Sequence, residues 1–469
     1  MVMLYKLDAS PPARACMVAC ELFNIPVQLI NVDMPSGEHK KPEYLKKNPL
    51  HTVPVLEDDN VIIHDSHAIL MYLADVYGKQ DSVYPKDPKQ RARVNQMLFF
   101  DSSVLFQRLR NITYPLYVEG ITDIPEKNLL AIDEAYGYIE EFLSRSKYLA
   151  GDNITIADVS AFTTVGALVV IRDLDTKKYP KLQAWLKEIE SLPYIQKGNT
   201  KGAKEFETFV KSKLERDALR KWRPQNVAST ESGVFRTRPN QKVTSKENDI
   251  VLCLMVKLYK INASPPARSC MVACELFNIP VQLVDVDFAS GENRKPEYLK
   301  KNPLHTVPVL EDDNVVIHDS HAILMYLADV YGKQESYYPK DPKQRARVNQ
   351  ILFFNSSVLF GTLRNISYPL FVDGITDVPE KNLLAIDEAY GYIEEFLSRS
   401  KYLAGDNITI ADISAFPMIG GLIAIRQFDA KKYPKLQAWL KEIESLPYVQ
   451  KGNAKGAQEY EQFLKSKLG

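Results

Sequence analysis

The feature that most constrains this 469-residue chain is that it says the same thing twice. Tyr5 to Arg14 returns, with conservative changes, as Tyr259 to Arg268, and Asn48 to Asp59 returns unchanged as Asn302 to Asp313. The offset is constant at 264 − 10 = 254 residues. Solenoid repeats run about 20–50 residues, so a period this long is a duplicated protein and not a stack of small units. Whatever one half folds into, the other must fold into as well.

The bulk numbers set outer limits. Lys plus Arg number 59 and Asp plus Glu 59. Such a balance gives no electrostatic footprint for nucleic acid or an acidic membrane surface. The sequence has no apolar run near the roughly 20 residues of a membrane span, and its start has no secretory pattern, so a cytoplasmic protein is expected. Cys16 and Cys20, repeated as Cys270 and Cys274, sit four apart on an expected helix, with Cys253 alone. A redox pair or metal site would need further ligands nearby in sequence, and there are none. Small core residues and a reducing compartment are the simpler expectation, and no metal is implied.

Within a half, the pattern is strand, helix, strand, then a hairpin and a helix. Met3–Leu7 is a short apolar run, and Ser10-Pro11-Pro12 opens a helical period that ends near Pro26. Val27–Val32 reads as a strand. Two more short runs flank Glu57-Asp58-Asp59-Asn60 as a hairpin, and Asp65-Ser66 begins a helix stopped by Gly78. From residue 87 to 214 only amphipathic helices are expected, one opened by the capping box Thr155-Ile156-Ala157-Asp158. The fold class is thus α/β plus all-α, duplicated. The expected limits are 1–80 and 87–214 for the first copy, and 255–334 and 341–469 for the second. Residues 215–254, rich in Arg, Lys, Asn, Ser and Thr, read as a flexible linker. For about 40 such residues the coil relation gives an end-to-end distance of about 35 Å, enough to join neighbouring units.

Several residues have chemistry as well as structure to offer. Ser10 lies between a strand and a proline-opened helix, where serine is a favoured cap. The same position lets a hydroxyl serve an anion together with helix N–H groups, and a thiolate is such an anion. A cis bond at Val53-Pro54 would leave the backbone of Val53 free to pair with an extended ligand. Asp65 and Ser66 begin a helix, where carboxylate and hydroxyl suit the two ends of an amino-acid zwitterion. His51 alone is a loop histidine.

Taken together, these residues resemble the cytosolic glutathione transferases. Ser10, Val53-Pro54, Asp65-Ser66-His67-Ala68-Ile69 and Thr155-Ile156-Ala157-Asp158 stand in that family's order and spacing, over nearly all of both halves. Asn-Pro-Leu-His-Thr-Val-Pro at 48–54 and Phe-Asp-Ser at 100–102 resemble the insect delta/epsilon group, nearer epsilon. The resemblance implies a thioredoxin-like domain that binds glutathione and an all-helical domain that shapes the pocket for a hydrophobic electrophile. Ser10 would hydrogen-bond the thiolate, and Val53, held by cis Pro54, would pair with the ligand backbone. Asp65 and Ser66 would take the γ-glutamyl end, His51 the glycine carboxylate, and His39 is a further candidate there. The second copy repeats these as Ser264, Val307, Pro308, Asp319, Ser320 and His305, but His39 becomes Asn293.

For the electrophile pocket the candidates are Phe106, Leu109, Arg110, Tyr114 and Tyr117, repeated as Phe360, Leu363, Arg364, Tyr368 and Phe371. The apolar members are equally at home in a helical core. The resemblance also implies two-fold pairing, which the two halves could satisfy between themselves. Peroxidase or dehydrohalogenase side activity would use the same thiolate. A ligand-binding protein without turnover is the alternative, and a dithiol oxidoreductase lacks its Cys-x-x-Cys. Gln107-Arg108 becomes Gly361-Thr362, Thr163-Thr164 becomes Pro417-Met418, and Asp101 becomes Asn355. Asp101 reads either as support for the γ-glutamyl ammonium or as a surface position.

Overall fold

A computed structural model describes residues 1–214 and 256–468; the linker expected at 215–254, and Cys253, lie outside the described residues. In the first half β1 (Val2–Lys6), α1 (Pro11–Leu22) and β2 (Val27–Asn31) form a parallel βαβ unit. A short helix α2 (Pro42–Lys47) leads to the hairpin β3 (Val55–Asp58) and β4 (Val61–His64), and then to α3 (Ser66–Tyr77). The sheet order is β2-β1-β3-β4, with β3 antiparallel to both neighbours. The second copy repeats it as β5 (Val256–Lys260), β6 (Val281–Asp285), β7 (Val309–Asp312) and β8 (Val315–His318). No helix among the described residues is long and apolar enough to cross a membrane.

The helical part is α4 (Pro88–Phe100), α5 (Phe106–Tyr114), α6 (Glu126–Arg145), α7 (Ile156–Ile171), α8 (Pro180–Glu190) and α9 (Pro193–Lys213). From Pro88 to Glu119 the chain is one helical path with two π turns, Asp101–Leu105 and Pro115–Glu119. Such turns widen a helix by one residue and often lie at functional sites. The capping box forms in both copies. Asp158 is fully buried and accepts from Leu149 N, Thr155 N and Trp185 Nε1 at 2.9–3.1 Å. Helix α9 lies directly on α1 because it carries glycine at two successive turns. A Cβ at Gly198 would stand 2.7 Å from Val18 Cα, and one at Gly202 only 2.0 Å from the Asp8 carbonyl oxygen. The loop before Ser10 is therefore pinned from above.

Contacts also run between the halves. Gln350 Oε1 accepts from His64 N and Gln96 Oε1 from His318 N, both at 2.8 Å. Four rings stack in line from one half to the other: His67 on Phe353 at 4.8 Å, Phe353 on Phe99 at 4.1 Å, and Phe99 on His321 at 4.8 Å. Arg145 donates to the carbonyls of Lys300 and Leu299, and Arg399 to those of Lys46 and Leu45.

Candidate active site

Strand register brings the candidates to one end of the sheet. Tyr5 pairs with Val55, and Val55 with His64. The exit of β1 towards Ser10, the approach to β3 through Val53-Pro54, and the exit of β4 into Asp65-Ser66 therefore share an edge. The Cys16 thiol of α1 donates to the Ser66 carbonyl at 3.6 Å, tying the two helix starts together. Burial pushes the Cys20 thiol up to about 12 and that of Cys16 well above its ordinary value, so both are inert core thiols. The second copy has the same link, from Cys270 to Ser320.

Each position has a local cause. Ser10 is the residue before α1, extended at φ −75° and ψ 117°, yet its hydroxyl makes no capping hydrogen bond. Pro11 and Pro12 have no N–H to offer it, and a capping hydroxyl only accepts, so the Ser10 proton is free to be donated to a ligand. Ser264 differs slightly, accepting from Ala267 N at 3.4 Å. The Val53-Pro54 and Val307-Pro308 peptide bonds are cis. The turn before them is organised by Asn48, fully buried, which donates to Thr52 O and Oγ1 at 2.9 Å and accepts from Leu50 N at 3.0 Å. His51 in that turn has φ 47° and His305 φ 48°, left-handed backbone that costs a non-glycine residue energy and is found most often at binding sites.

Asp65 combines two duties. With φ 75° it caps α3, its Oδ1 accepting from His67 N at 2.9 Å and Ala68 N at 3.3 Å. Behind it, His67 is held at both ring nitrogens: Nδ1 3.1 Å from Asp65 Oδ1 and Nε2 3.1 Å from Asp101 Oδ2. Burial alone would depress this imidazole, but the two carboxylates overcome it and hold it up to about 10, so it is an imidazolium at neutral pH. Asp101, in the π turn, is 1% exposed and also accepts from the Ser160 hydroxyl. The surface reading of this position is thereby corrected, because the extra residue of the π turn carries it inward. In the second copy Asn355 donates to Ser414 Oγ, while His321 Nε2 has no hydrogen-bond partner.

His39 is 6.0 Å from His51 between ring centres, and its replacement Asn293 donates to the His305 carbonyl at 2.8 Å. The pocket candidates divide. Leu109 and Leu363 are buried core residues, and Phe106 and Phe360 are half-buried. Leu363 nonetheless lies close to the serine helix, since a Cβ at Gly421 would meet Leu363 Cδ2 at 3.1 Å and Pro265 Cγ at 3.6 Å. Tyr114, Tyr117 and Tyr368 are exposed, and Arg110 and Arg364 lie over Tyr114 and Tyr368 at 4.9 and 5.4 Å. Tyr117 packs on Phe209, and Phe371 on Phe463.

Some contributors were not singled out from sequence. Arg14, one turn into α1, is 1% exposed, with Nη1 on Asn199 Oδ1 and with Nε and Nη2 unpartnered. Burial lowers it to about 10, opposed only by its neighbour Tyr117. A glycine pair four apart on α9 and an arginine among alanines on α1 were the available signals. Tyr392, which reaches His51 from the other half at 3.2 Å, left no signal in sequence.

The family description "Glutathione S-transferase, N-terminal domain" matches residues 4–81 and again 258–335, and "Glutathione S-transferase, C-terminal domain" matches 112–193 and 366–447. The chain is 43% identical to glutathione S-transferase 1 of Manduca sexta over 217 residues, which is 46% of this chain and 100% of that protein. It is 49% identical to a solved epsilon-class glutathione S-transferase of the housefly, Musca domestica, with 45% of this chain and 98% of that one covered and a TM-score of 0.45. A glutathione transferase homologue from Drosophila mojavensis, solved with bound glutathione, is 43% identical, covering 45% and 97% respectively, with a TM-score of 0.44. The chain belongs to the glutathione S-transferase family, and does so twice over, each half carrying both family domains. It is a glutathione transferase enzyme with insect relatives, as its motifs implied.

Proposed function

We propose that each half conjugates the glutathione thiolate to hydrophobic electrophiles, in the cytoplasm and in a detoxifying role, with Ser10 and Ser264 as thiolate hydrogen-bond donors. The observation that carries this reading is the uncapped Ser10 hydroxyl at the start of α1, on the same sheet edge as Val53-Pro54 and Asp65-Ser66. A free thiol has a pKa of about 8.5 and is mostly protonated at neutral pH. A hydroxyl donor, the helix N-terminus and the buried Arg14 cation all favour its ionised form. Catalysis then consists of thiolate stabilisation and juxtaposition of two bound partners. Val53 and Val307 pair with the ligand backbone, Asp65-Ser66 and Asp319-Ser320 hold its γ-glutamyl end, and His51 and His305 meet its glycine carboxylate, helped by His39 in the first half.

The electrophile sits against Phe106, Leu109, Arg110, Tyr114 and Tyr117, or against Phe360, Leu363, Arg364, Tyr368 and Phe371. Because these walls differ, the halves share glutathione and prefer different electrophiles. We keep the domain limits expected from sequence, 1–80, 87–214, 255–334 and 341–469, with 215–254 as the linker, as part of this proposal. We also infer that the halves pair with each other within one chain. The ring stack and the paired glutamine contacts support this, and so does one asymmetric contact. Gln107 donates to Ser357 O at 3.1 Å and lies 3.9 Å from where a Cβ on Gly361 would stand. Pairing like with like would set glutamine against glutamine, or glycine against glycine.

The test is the rate of conjugation to a chloronitroaromatic by the whole chain, Ser10→Ala, Ser264→Ala and the double variant. Loss of a positioned donor costs about 10²–10³ in rate at its site. Activity should fall in two steps to background. Full activity in the double variant would remove both serines from the chemistry.

A further inference from the structure

Each candidate glutathione site is touched by the opposite half at its loop histidine, His51 or His305. Tyr392, on the helix Glu380–Arg399, places its hydroxyl 3.2 Å from His51 Nε2 and 2.7 Å from its own half's Glu388 Oε1. A phenol has a single proton to give. The carboxylate is the stronger acceptor, so that proton goes to Glu388 and the tyrosine oxygen accepts from His51 Nε2–H. This fixes the orientation of the imidazole and leaves Nδ1 as the nitrogen available to a ligand; Nδ1 donates to a carboxylate when the ring carries both protons, the form that the Tyr392 oxygen and the Glu388 charge favour. The turn already holds His51 in left-handed backbone, so the ring is constrained from both ends.

The same arrangement runs the other way. Tyr138 on α6 lies 3.3 Å from His305 Nε2, with Glu134 one helical turn behind it. The two are not equal. Glu134 also accepts from Arg108 Nη2 at 2.6 Å, and the residue matching Arg108 in the second half is Thr362, which cannot engage Glu388 in that way. The charged and titratable groups around His51 are His39, Lys40 and Arg110 from its own half and Tyr392 and Glu388 from the other. Burial is the largest influence and lowers the imidazole; Glu388 is the strongest group opposing it, while Lys40 and Arg110 add to it. Around His305, burial is again the largest influence, and Arg294 comes ahead of Glu134.

We propose that Tyr392 with Glu388 is a positioning pair for the Ser10 site, and Tyr138 with Glu134 for the Ser264 site, so that each half orients the histidine with which the other grips the glycine carboxylate of glutathione. The inference rests on the function proposed above and adds to it a crossed dependence that no single half contains.

Whole-chain kinetics with glutathione varied, in a Ser264→Ala background that leaves the Ser10 site and in a Ser10→Ala background that leaves the other, test it. Tyr392→Phe should raise the glutathione KM of the Ser10 site about five-fold, the worth of one hydrogen bond of ~1 kcal/mol, with kcat nearly unchanged. The Ser264 site on that same variant should keep its constants, which controls for misfolding. Tyr138→Phe should do the reverse with a smaller rise, because Glu134 is shared with Arg108, and Glu388→Gln should follow Tyr392→Phe. A variant that moves both sites alike, moves the site of its own half, or moves neither would overturn the proposal. A parent chain with neither turnover nor calorimetric glutathione binding would overturn the proposed function along with it. An active parent without the crossed pattern overturns the inference alone.

Discussion

The two halves are most alike where the ligand is expected and least alike one layer further out. Ser10, Val53-Pro54, Asp65-Ser66 and His51 have identical counterparts, with the same cis bonds and the same left-handed histidine. Behind them Asp101 has become Asn355, His39 Asn293, and Arg108 Thr362. A hydroxyl has even changed helices. Tyr117 and Phe206 in the first half are Phe371 and Tyr460 in the second, and each tyrosine is the group that opposes the burial of its arginine, Arg14 or Arg268. The residues proposed to react are thus kept while their surroundings drift, and the account predicts that the two copies differ in affinity and preference and share the reaction.

Exchanging residues between the halves sharpens this comparison. The largest effect should fall where they agree. Asp158→Ala or Asp412→Ala strands buried donors at a backbone turn and a tryptophan, and each should cost about 3 kcal/mol in chemical denaturation, equally in the two halves. A clearly unequal cost would show that the matching networks are not equivalent.

The next effect is the Asp101–His67 pair. His67 is raised to about 10 in the folded chain, above its unfolded value near 6.5. That contribution is fully present below about pH 6.5 and is lost as pH rises through about 10. Asp101→Asn should therefore destabilise by about 2 kcal/mol at pH 6 and by less at pH 10, as seen in denaturation midpoints. Asn355→Asp should give the second half the same pH-dependent gain. An Asp101→Asn penalty that grew with pH would contradict the ion pair. Calorimetry on the single-serine backgrounds should also show the Ser264 site binding glutathione more weakly than the Ser10 site, and Asn355→Asp narrowing the gap. The smallest effect should come from Tyr117→Phe and Phe371→Tyr, a few-fold shift in preference among electrophiles with glutathione KM unmoved.

Much of the fold was legible because it is written in local chemistry: turn residues at the hairpin, prolines opening helices, and the Thr-x-x-Asp box. The duplicated motifs also placed the serine, the Val-Pro turn and the Asp-Ser start in one register. What stayed hidden depends on neighbours distant in sequence. Asp101 reads equally as ligand support and as a surface residue until a π turn carries it against His67. Leu109 fits a pocket wall and a core stripe equally well by periodicity, and only packing shows how deeply it is buried. Tyr138 and Tyr392 look like ordinary helix residues because their partners belong to the other half.

Everything said of crossed support requires the chain to be its own partner. The most direct measurement is light scattering on the intact chain over a wide dilution series. Self-pairing predicts a compact particle of 53.3 kDa at every concentration. A mass near twice that value, falling to an extended single chain on dilution, would mean that the halves pair between chains and would contradict the account.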